Sequence, residues 1–560
     1  VDRFLAGAAT NRRRFLGLVG LGATAMAGGG FLSGCSRPAG TQGTATDVDA
    51  VSAVLPRYQP VELITPDIAG VRPIADGYLT YPTDLVRAVT ETPGSSGEPL
   101  TAMTPWWGPT PPGIDRNAYL QAVNERLGVP IDFSVQDGNT YADKLSAILG
   151  ARDVPDLLCA PNWEIDKIPR FSDAVSALFE DLTDHLAGDA ALAYPHLASF
   201  PTGAWQYAVW GGRLAAVPWP TDGPFPYALF YRKDLTDAAG VQAPKNIEEL
   251  YEFGKAMTDP ANGVWAFGSI FNMVQMFYGV PGSQGGWRRT DGGGLEFKYE
   301  TEEYREALEF TTKLFAEGLV HPDIVESSGA ADAKQLFNSG KMICYEDGVG
   351  AWRGMYSEQR QITPTFDMRP VPIFSADGQS TPVAWGEEKP IFYTFIKKGL
   401  GKERVEEILR VLNWCAAPLG TEEYHLRQYG VVDQHHTVSA DGSPELTELG
   451  RQEIADQYTF IVGRYPTIVQ TADVPGFVEA LLSYSNETVK YLEPNPWAGI
   501  KFELPANLSR VQQPTEDKIL DVLRGRRPTS DLEQITQEWR SGGGDEGRDF
   551  FRKALEDNDR

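Results

Sequence analysis

Leu100-Thr101-Ala102-Met103, Arg116 to Leu127, Ile131-Asp132-Phe133-Ser134-Val135, Thr140 to Leu149 and Pro155-Asp156-Leu157-Leu158 read in turn as strand, helix, strand, helix and strand. Ile131, Phe133 and Val135 alternate with polar residues, the period of two that a half-buried strand requires. Tyr119, Val123 and Leu127 instead fall on one face of a helix. Thr140 stands where a hydroxyl would cap the second helix. Strands and helices that alternate in this way predict α/β lobes with largely parallel sheets.

The same grammar continues outward. Asn246 with Glu249 and Ser530 with Glu533 have capping-box spacing. Tyr304, Leu308, Thr311 and Phe315 form an apolar stripe that Gly318 ends, and Val405, Ile408, Leu409 and Leu412 form another. Leu55 to Glu98 carries many Pro, Gly and Tyr residues without helical periodicity, and is read as an extended arm over residues 55–98. No internal repeat is found.

At the other end, Asn11-Arg12-Arg13-Arg14-Phe15-Leu16-Gly17 is a basic run followed by the apolar stretch Leu18 to Phe31, too short to span a bilayer. It resembles a twin-arginine export signal, and Leu32-Ser33-Gly34-Cys35 resembles a lipobox, which implies lipidation at Cys35. Residues 1–34 are therefore expected to be a signal peptide and residues 35–54, rich in Gly, Thr and Ala, a flexible tether. Two or three acyl chains would hold the protein on the outer face of the cell membrane.

The 526 residues from 35 to 560 are long for one core and predict two lobes. Loss of residues 1–34 removes four arginines and one aspartate, so the net charge of −26 becomes −29. A body this acidic is not built to bind nucleic acid. Cys159, Cys344 and Cys415 sit in apolar sequence without shared spacing, as buried thiols rather than a disulfide framework.

Gly212-Arg213-Leu214-Ala215-Ala216-Val217-Pro218-Trp219, then Phe230-Tyr231-Arg232-Lys233-Asp234-Leu235 and Pro244 to Leu250, resemble the extracellular solute-binding proteins of family 1, the group that includes maltose-binding protein. Tyr304-Arg305-Glu306-Ala307-Leu308, Phe315 to Asp323, Phe337-Asn338-Ser339-Gly340-Lys341-Met342, Pro370-Val371-Pro372, Leu419 to Tyr424 and Trp539 to Glu546 follow in the family's order. The resemblance covers residues 55 to 560, and Leu55-Pro56-Arg57-Tyr58 is similar to the start of its lipid-anchored, oligosaccharide-type members.

The resemblance implies an α/β, type II periplasmic binding protein fold: two α/β lobes with a ligand cleft between them. Lobe 1 would comprise 99–222 and 373–450, and lobe 2 would comprise 223–372 and 451–560 with the C-terminal helices packing across both. The outward crossing is expected near Pro218 to Tyr227 and the return near Met368 to Pro372. It further implies a monomer that takes a carbohydrate by lobe closure, delivers it to the permease subunits of an ABC transporter and touches the membrane through its lipid anchor. No cofactor, metal or catalytic residue is expected. Asp259-Pro260-Ala261-Asn262-Gly263, where some relatives hold calcium, offers a single carboxylate, whereas calcium takes 6–8 oxygen ligands.

Sugars present hydroxyls and weakly apolar ring faces, so their sites need planar aromatic platforms beside polar groups. Such pairs stand at positions that the resemblance places on the cleft: Trp106 and Trp107, Asn162 and Trp163, Trp219, Asp347 with Trp352, Trp385 with Glu387, and Tyr429; Asn272 and Trp287 flank one further loop. Trp352 stands where a Trp of the family stacks on sugar. Two readings outside transport remain open: a surface adhesin or co-receptor with the same fold, and a secreted glycoside hydrolase, which would need paired carboxylates such as Asp347 and Glu387.

Overall fold

The structure, a computed structural model, describes residues 43–560 except 166–167, 169–170, 283–284, 324–330, 441 and 472. The export segment, Cys35 and the first residues of the tether lie outside the described residues.

Two sheets organise the chain. The first has the order Ile131–Asp137, Leu100–Trp106, Leu157–Pro161, Phe392–Ile396, Val217–Trp219. Its first three strands are parallel, and Phe392–Ile396 runs antiparallel to both of its neighbours. Leu100, Ile131, Leu157 and Phe395 pack there against Tyr119, Val123 and Leu127 of the helix Ala118–Leu127 and against Ile408 and Leu409. That helix starts on Asn117, whose side chain accepts from the Leu120 amide. Thr140 precedes the next helix, Tyr141–Ala151, without a side-chain capping bond.

The second sheet has the order Trp265–Phe267, Met342–Gly348, Tyr227–Arg232, Met368–Pro370. Trp265–Phe267 and Met342–Gly348 are parallel, and the other pairings are antiparallel. The helix Ile247–Met257 begins as its sequence predicts, with Asn246 accepting from the Glu249 amide. The Ser530 box is not made: a 3-10 turn, Thr529–Asp531, moves the start of the helix to Leu532 and leaves it without a side-chain cap.

Both sheets are mixed rather than largely parallel, for a topological reason. A strand arriving from the other lobe enters at the edge that faces that lobe, so it must run against the parallel strands that point towards it. Tyr227–Arg232 and Phe392–Ile396 are these arriving strands.

The chain leaves the first sheet after Trp219 and enters the second at Tyr227. Its return lies further along than Met368 to Pro372. Met368–Pro370 completes the edge of the second sheet, Phe374 stacks on Phe277 (3.9 Å, 17°) and Ala384 is buried in the second core. The first sheet resumes only at Phe392. Tyr458, Ile461 and Val462 still belong to the first core, which therefore extends past residue 450, and Ile468 already belongs to the second. The helices Ala506–Leu523, Leu532–Trp539 and Asp545–Glu556 pack into the second core rather than across both. Cys159, Cys344 and Cys415 are buried free thiols. No helix among the described residues is long and apolar enough to cross a membrane.

Candidate functional site

The carboxyl ends of the parallel strands in each sheet mark the edge at which the chain crosses between lobes. In the first sheet this edge holds Trp106, Pro161, Trp219 and Phe392, the last paired with both Pro161 and Trp219. In the second it holds Phe267, Gly348 and Tyr227, with Gly348 opposite Tyr227. Ligands of open α/β sheets bind beyond such ends.

On the first edge the structure gathers four of the tryptophans singled out in the sequence. Trp219 stacks on Phe392 at 4.7 Å and 26°, and Phe460 meets Trp219 edge-on at 5.5 Å and Trp106 at 6.3 Å. Trp107 lies 6.0 Å from Trp163 and 6.1 Å from Phe460, and Trp163 lies 5.4 Å from Phe392. Trp107 and Trp163 remain 47% and 37% exposed, so faces of both rings stay open above a packed aromatic floor. Gly138 makes room for this: a Cβ there would stand 2.2 Å from the Trp107 ring. Asn162 donates Nδ2–H to the Pro390 carbonyl and its backbone N–H to Ile391, which fastens this corner to the returning chain. Phe392 and Phe460 were not anticipated, because each reads as an ordinary core residue of a strand or short helix.

The opposing edge is acidic. Glu346 is buried at the start of the helix Phe271–Phe277, where it accepts from Asn272 Nδ2 (2.6 Å) and the Met273 amide (3.2 Å). Burial raises its carboxyl to about 7, against the pull of those hydrogen bonds. Burial also raises Asp347, whose Oδ1 accepts from the Gly348 amide. The half-exposed Tyr227 faces both carboxyls, and its hydroxyl is raised first by burial and then by their charge.

The remaining expected residues lie elsewhere. Trp352 has no exposed surface and sits between Phe230 (5.5 Å) and Phe477 (5.1 Å) in the second core. The chain after Gly348 forms a 3-10 turn and then the helix Trp352–Ile362, whose inward stripe is Trp352, Met355 and Tyr356. Trp352 is therefore a packing residue in this structure rather than a ligand platform. Trp287 is likewise covered, by Phe297, Trp539 and Phe551. Tyr429 packs edge-on against Tyr81 in a small separate cluster. Trp385 donates Nε1–H to the Val280 carbonyl and lies against Gly282, where a Cβ would come within 2.0 Å of its ring. Glu387 donates its backbone N–H to Pro224 and accepts from Asn495 Nδ2 at 3.4 Å, which places it in the returning crossing. Asp347 and Asn272 are the expected residues that stand on the acidic edge. Asp259 caps its own 3-10 turn, and among the described residues no three His, Cys, Asp or Glu side chains come together as a metal would need.

This two-lobed arrangement has counterparts of known structure. The alginate-binding protein AlgQ2, solved without calcium ion, superposes with a TM-score of 0.59 at 13% identity, over 83% of this chain and 99% of that one. The N-glycan transport solute binding protein NgtS of Streptococcus pneumoniae, solved with Man1GlcNAc, gives 0.58 at 13% identity, over 83% of this chain and 100% of that one. At such identities the likeness is one of fold. Among curated proteins, the polygalacturonan/rhamnogalacturonan-binding protein YtcQ of Bacillus subtilis is 21% identical over 344 residues, 58% of this chain and 65% of that protein. Lipoprotein LipO of the same species is 24% identical over 252 residues, 42% of this chain and 47% of that protein. The matches thus span from about half to just under two thirds of these relatives' length. The family model for bacterial extracellular solute-binding proteins matches residues 111–390, half of the chain, from the first lobe through the outward crossing and the second sheet. On that match and this fold, the chain belongs to the family of bacterial extracellular solute-binding proteins.

Proposed function

We propose that this protein is a lipid-anchored binding protein on the outer face of the cell membrane, which captures a carbohydrate between its lobes and hands it to the permease of an ABC importer without chemical change. One observation carries the carbohydrate reading: Trp107 and Trp163 expose ring faces over the Trp219–Phe392–Phe460 floor, opposite an edge bearing Asn272, Asp347 and Tyr227. Aromatic faces match the apolar faces of pyranose rings, while carboxylate, amide and phenol groups match their hydroxyls. A single ring binds little, so a row of aromatics suits an oligosaccharide. YtcQ, AlgQ2 and NgtS are each named for a glycan or its transport, which supports the same class of ligand here.

Each lobe supplies part of the site, so the completed site is the closed one, and binding energy shifts the population towards closure. The anchor rests on the Leu32-Ser33-Gly34-Cys35 sequence. Labelled palmitate should appear on the expressed protein and vanish in Cys35→Ala; label retained by the variant excludes lipidation at that thiol. The ligand class is tested by a melting screen of mono- and oligosaccharides, since a ligand that binds only the folded state raises its stability by mass action. A shift with an oligosaccharide is expected. Shifts confined to peptides, or reducing ends released from an incubated glycan, would overturn the reading.

A further inference from the structure

The outward crossing, the return and the last crossing connect the lobes and pack on one another. Glu387 of the return donates its amide to Pro224 of the outward crossing (3.0 Å), and a Cβ on Gly386 would stand 2.6 Å from Leu492. Gly463 of the last crossing lies so close to Trp219 that a Cβ would come within 2.3 Å of the ring. These contacts pack the crossing segments closely against one another.

The arm joins these crossings. Near its start it is fixed to lobe 1, where the Arg57 and Gln59 amides donate to Gly188 and Ala198. It then passes to lobe 2: the Val71 amide donates to Asn486, and Ile74 and Ala75 are buried in the second core. There Asp76–Tyr78 pairs in parallel with Thr467–Val469, a two-stranded sheet belonging to neither lobe's sheet. Gly77 fits because it has no side chain; a Cβ would meet Leu482 at 2.2 Å. By Tyr81 the arm is back on lobe 1, with the Tyr81 hydroxyl on His425, the Val86 amide on Gly420 and the Val89 amide on Glu423. It therefore crosses between the lobes twice.

One residue ties these threads together. Asp222 lies in the outward crossing; its carbonyl accepts from the Ala75 amide of the arm (2.8 Å), and its Oδ1 accepts from the Thr467 amide of the last crossing (3.0 Å). Arg464 of that last crossing stands 3.8 Å from the same carboxylate and donates to the Thr467 carbonyl. We propose that the arm is a working part of the hinge and that Asp222 is the node through which it restrains the rotation of the lobes. The proposal rests on the lobe closure proposed above, because these hydrogen bonds join three segments that each pass between the lobes: the outward crossing, the arm and the last crossing.

The test needs no ligand. Asp222→Ala removes the acceptor of the Thr467 amide and the partner of Arg464 but keeps the carbonyl that Ala75 uses. Spin labels on Glu125→Cys and Glu302→Cys, exposed positions on lobes 1 and 2, report the interlobe distance in a Cys35→Ser background, because the other three thiols are buried. In Asp222→Ala the distance distribution should broaden and shift. Amide exchange at residues 76–78 and 467–469 should become at least about tenfold faster while strands 100–106 and 342–348 stay protected. A distribution superimposable on that of the parent overturns the proposal, whatever the exchange shows, since the Asp222 carboxylate would then not be a node that restrains the lobes. If Asp222→Ala does not fold, Asp222→Asn, which keeps an acceptor oxygen but no charge, carries the same test with a smaller broadening expected.

Discussion

Trp107 and Trp163 meet with ring centroids 6.0 Å apart and planes tilted by 46°, on the edge of the first sheet that faces the second lobe. Because the rings are 47% and 37% exposed in the free protein, cutting either to Ala costs less than the roughly 3–5 kcal/mol of a fully buried Trp. The melting point of the free protein should therefore fall less than it does in Trp352→Ala. Affinity for the saccharide that emerges from the melting screen should fall, by roughly 1–3 kcal/mol for each ring if sugar stacking resembles base stacking on aromatic side chains, or about fivefold to 150-fold. Titration calorimetry measures this directly. Unchanged affinity in both variants would remove the aromatic edge from the site.

This edge shows where the sequence was legible. Trp106, Trp107, Asn162 and Trp163 could be placed because each stands at or just past the carboxyl end of a strand whose apolar run is plain. Phe392 and Phe460 could not, since an aromatic that begins a buried strand or sits in a four-residue helix carries the same local signal as any core residue. Only pairing across more than two hundred residues brings Phe392 to Pro161. Trp352 was misplaced for the converse reason. The resemblance sets it where a Trp of the family stacks on sugar, whereas the spacing of Trp352, Met355 and Tyr356 is that of an ordinary buried helical stripe. The lobe boundaries slipped because Met368–Pro370 looks like a crossing strand in sequence, and its edge position is fixed by the partner Tyr227–Arg232.

His425 and His436 meet Nε2 to Nε2 at 2.9 Å, and with both rings neutral the direction of each hydrogen bond in their chain follows from one carbonyl. His436 Nδ1 must donate to the Tyr429 carbonyl (2.8 Å), so its Nε2 accepts from His425 Nε2–H, and His425 Nδ1 accepts from the Tyr81 hydroxyl (2.8 Å). The ring-to-ring bond requires that at least one ring be neutral, and protonating both would break it. Burial, and then the neighbouring His436, lower His425 from 6.5 to about 4; burial also lowers His436, which His435 and Asp433 face from its own segment. A base depressed in the folded state binds fewer protons than in the unfolded one, so this stabilisation is complete above about pH 6.5 and is lost as pH falls through 4. His425→Gln should flatten that part of the melting profile. An unchanged slope between pH 7 and 4 would show that the pair does not titrate there.

Glu346 acts in the opposite direction. Its carboxyl is raised from 4.5 to about 7, so the folded state holds a proton that the unfolded state has released, and its contribution to stability falls as pH rises from 4.5 through 7. Glu346→Gln, neutral at every pH, should remove this decline while retaining one acceptor for Asn272 or Met273. Melting points of parent and variant between pH 5 and 8 measure the difference. Parallel curves would mean that Glu346 stays in one protonation state throughout.

Trp352 separates packing from binding most sharply. Its ring has no exposed surface and is held between Phe230 and Phe477, so Trp352→Ala leaves a cavity in the second core, for which about 3–5 kcal/mol of lost stability is expected. The free protein should melt markedly earlier, yet the shift induced by a saccharide should survive, because no ring face of Trp352 is open to a ligand. Trp352→Phe should cost much less: it keeps most of the aromatic contact and discards an indole N–H that has no acceptor among the described residues. The reverse result, an unchanged melting point in Trp352→Ala with loss of the ligand-induced shift, would return Trp352 to the site and show that the second lobe opens at this position to admit its ligand.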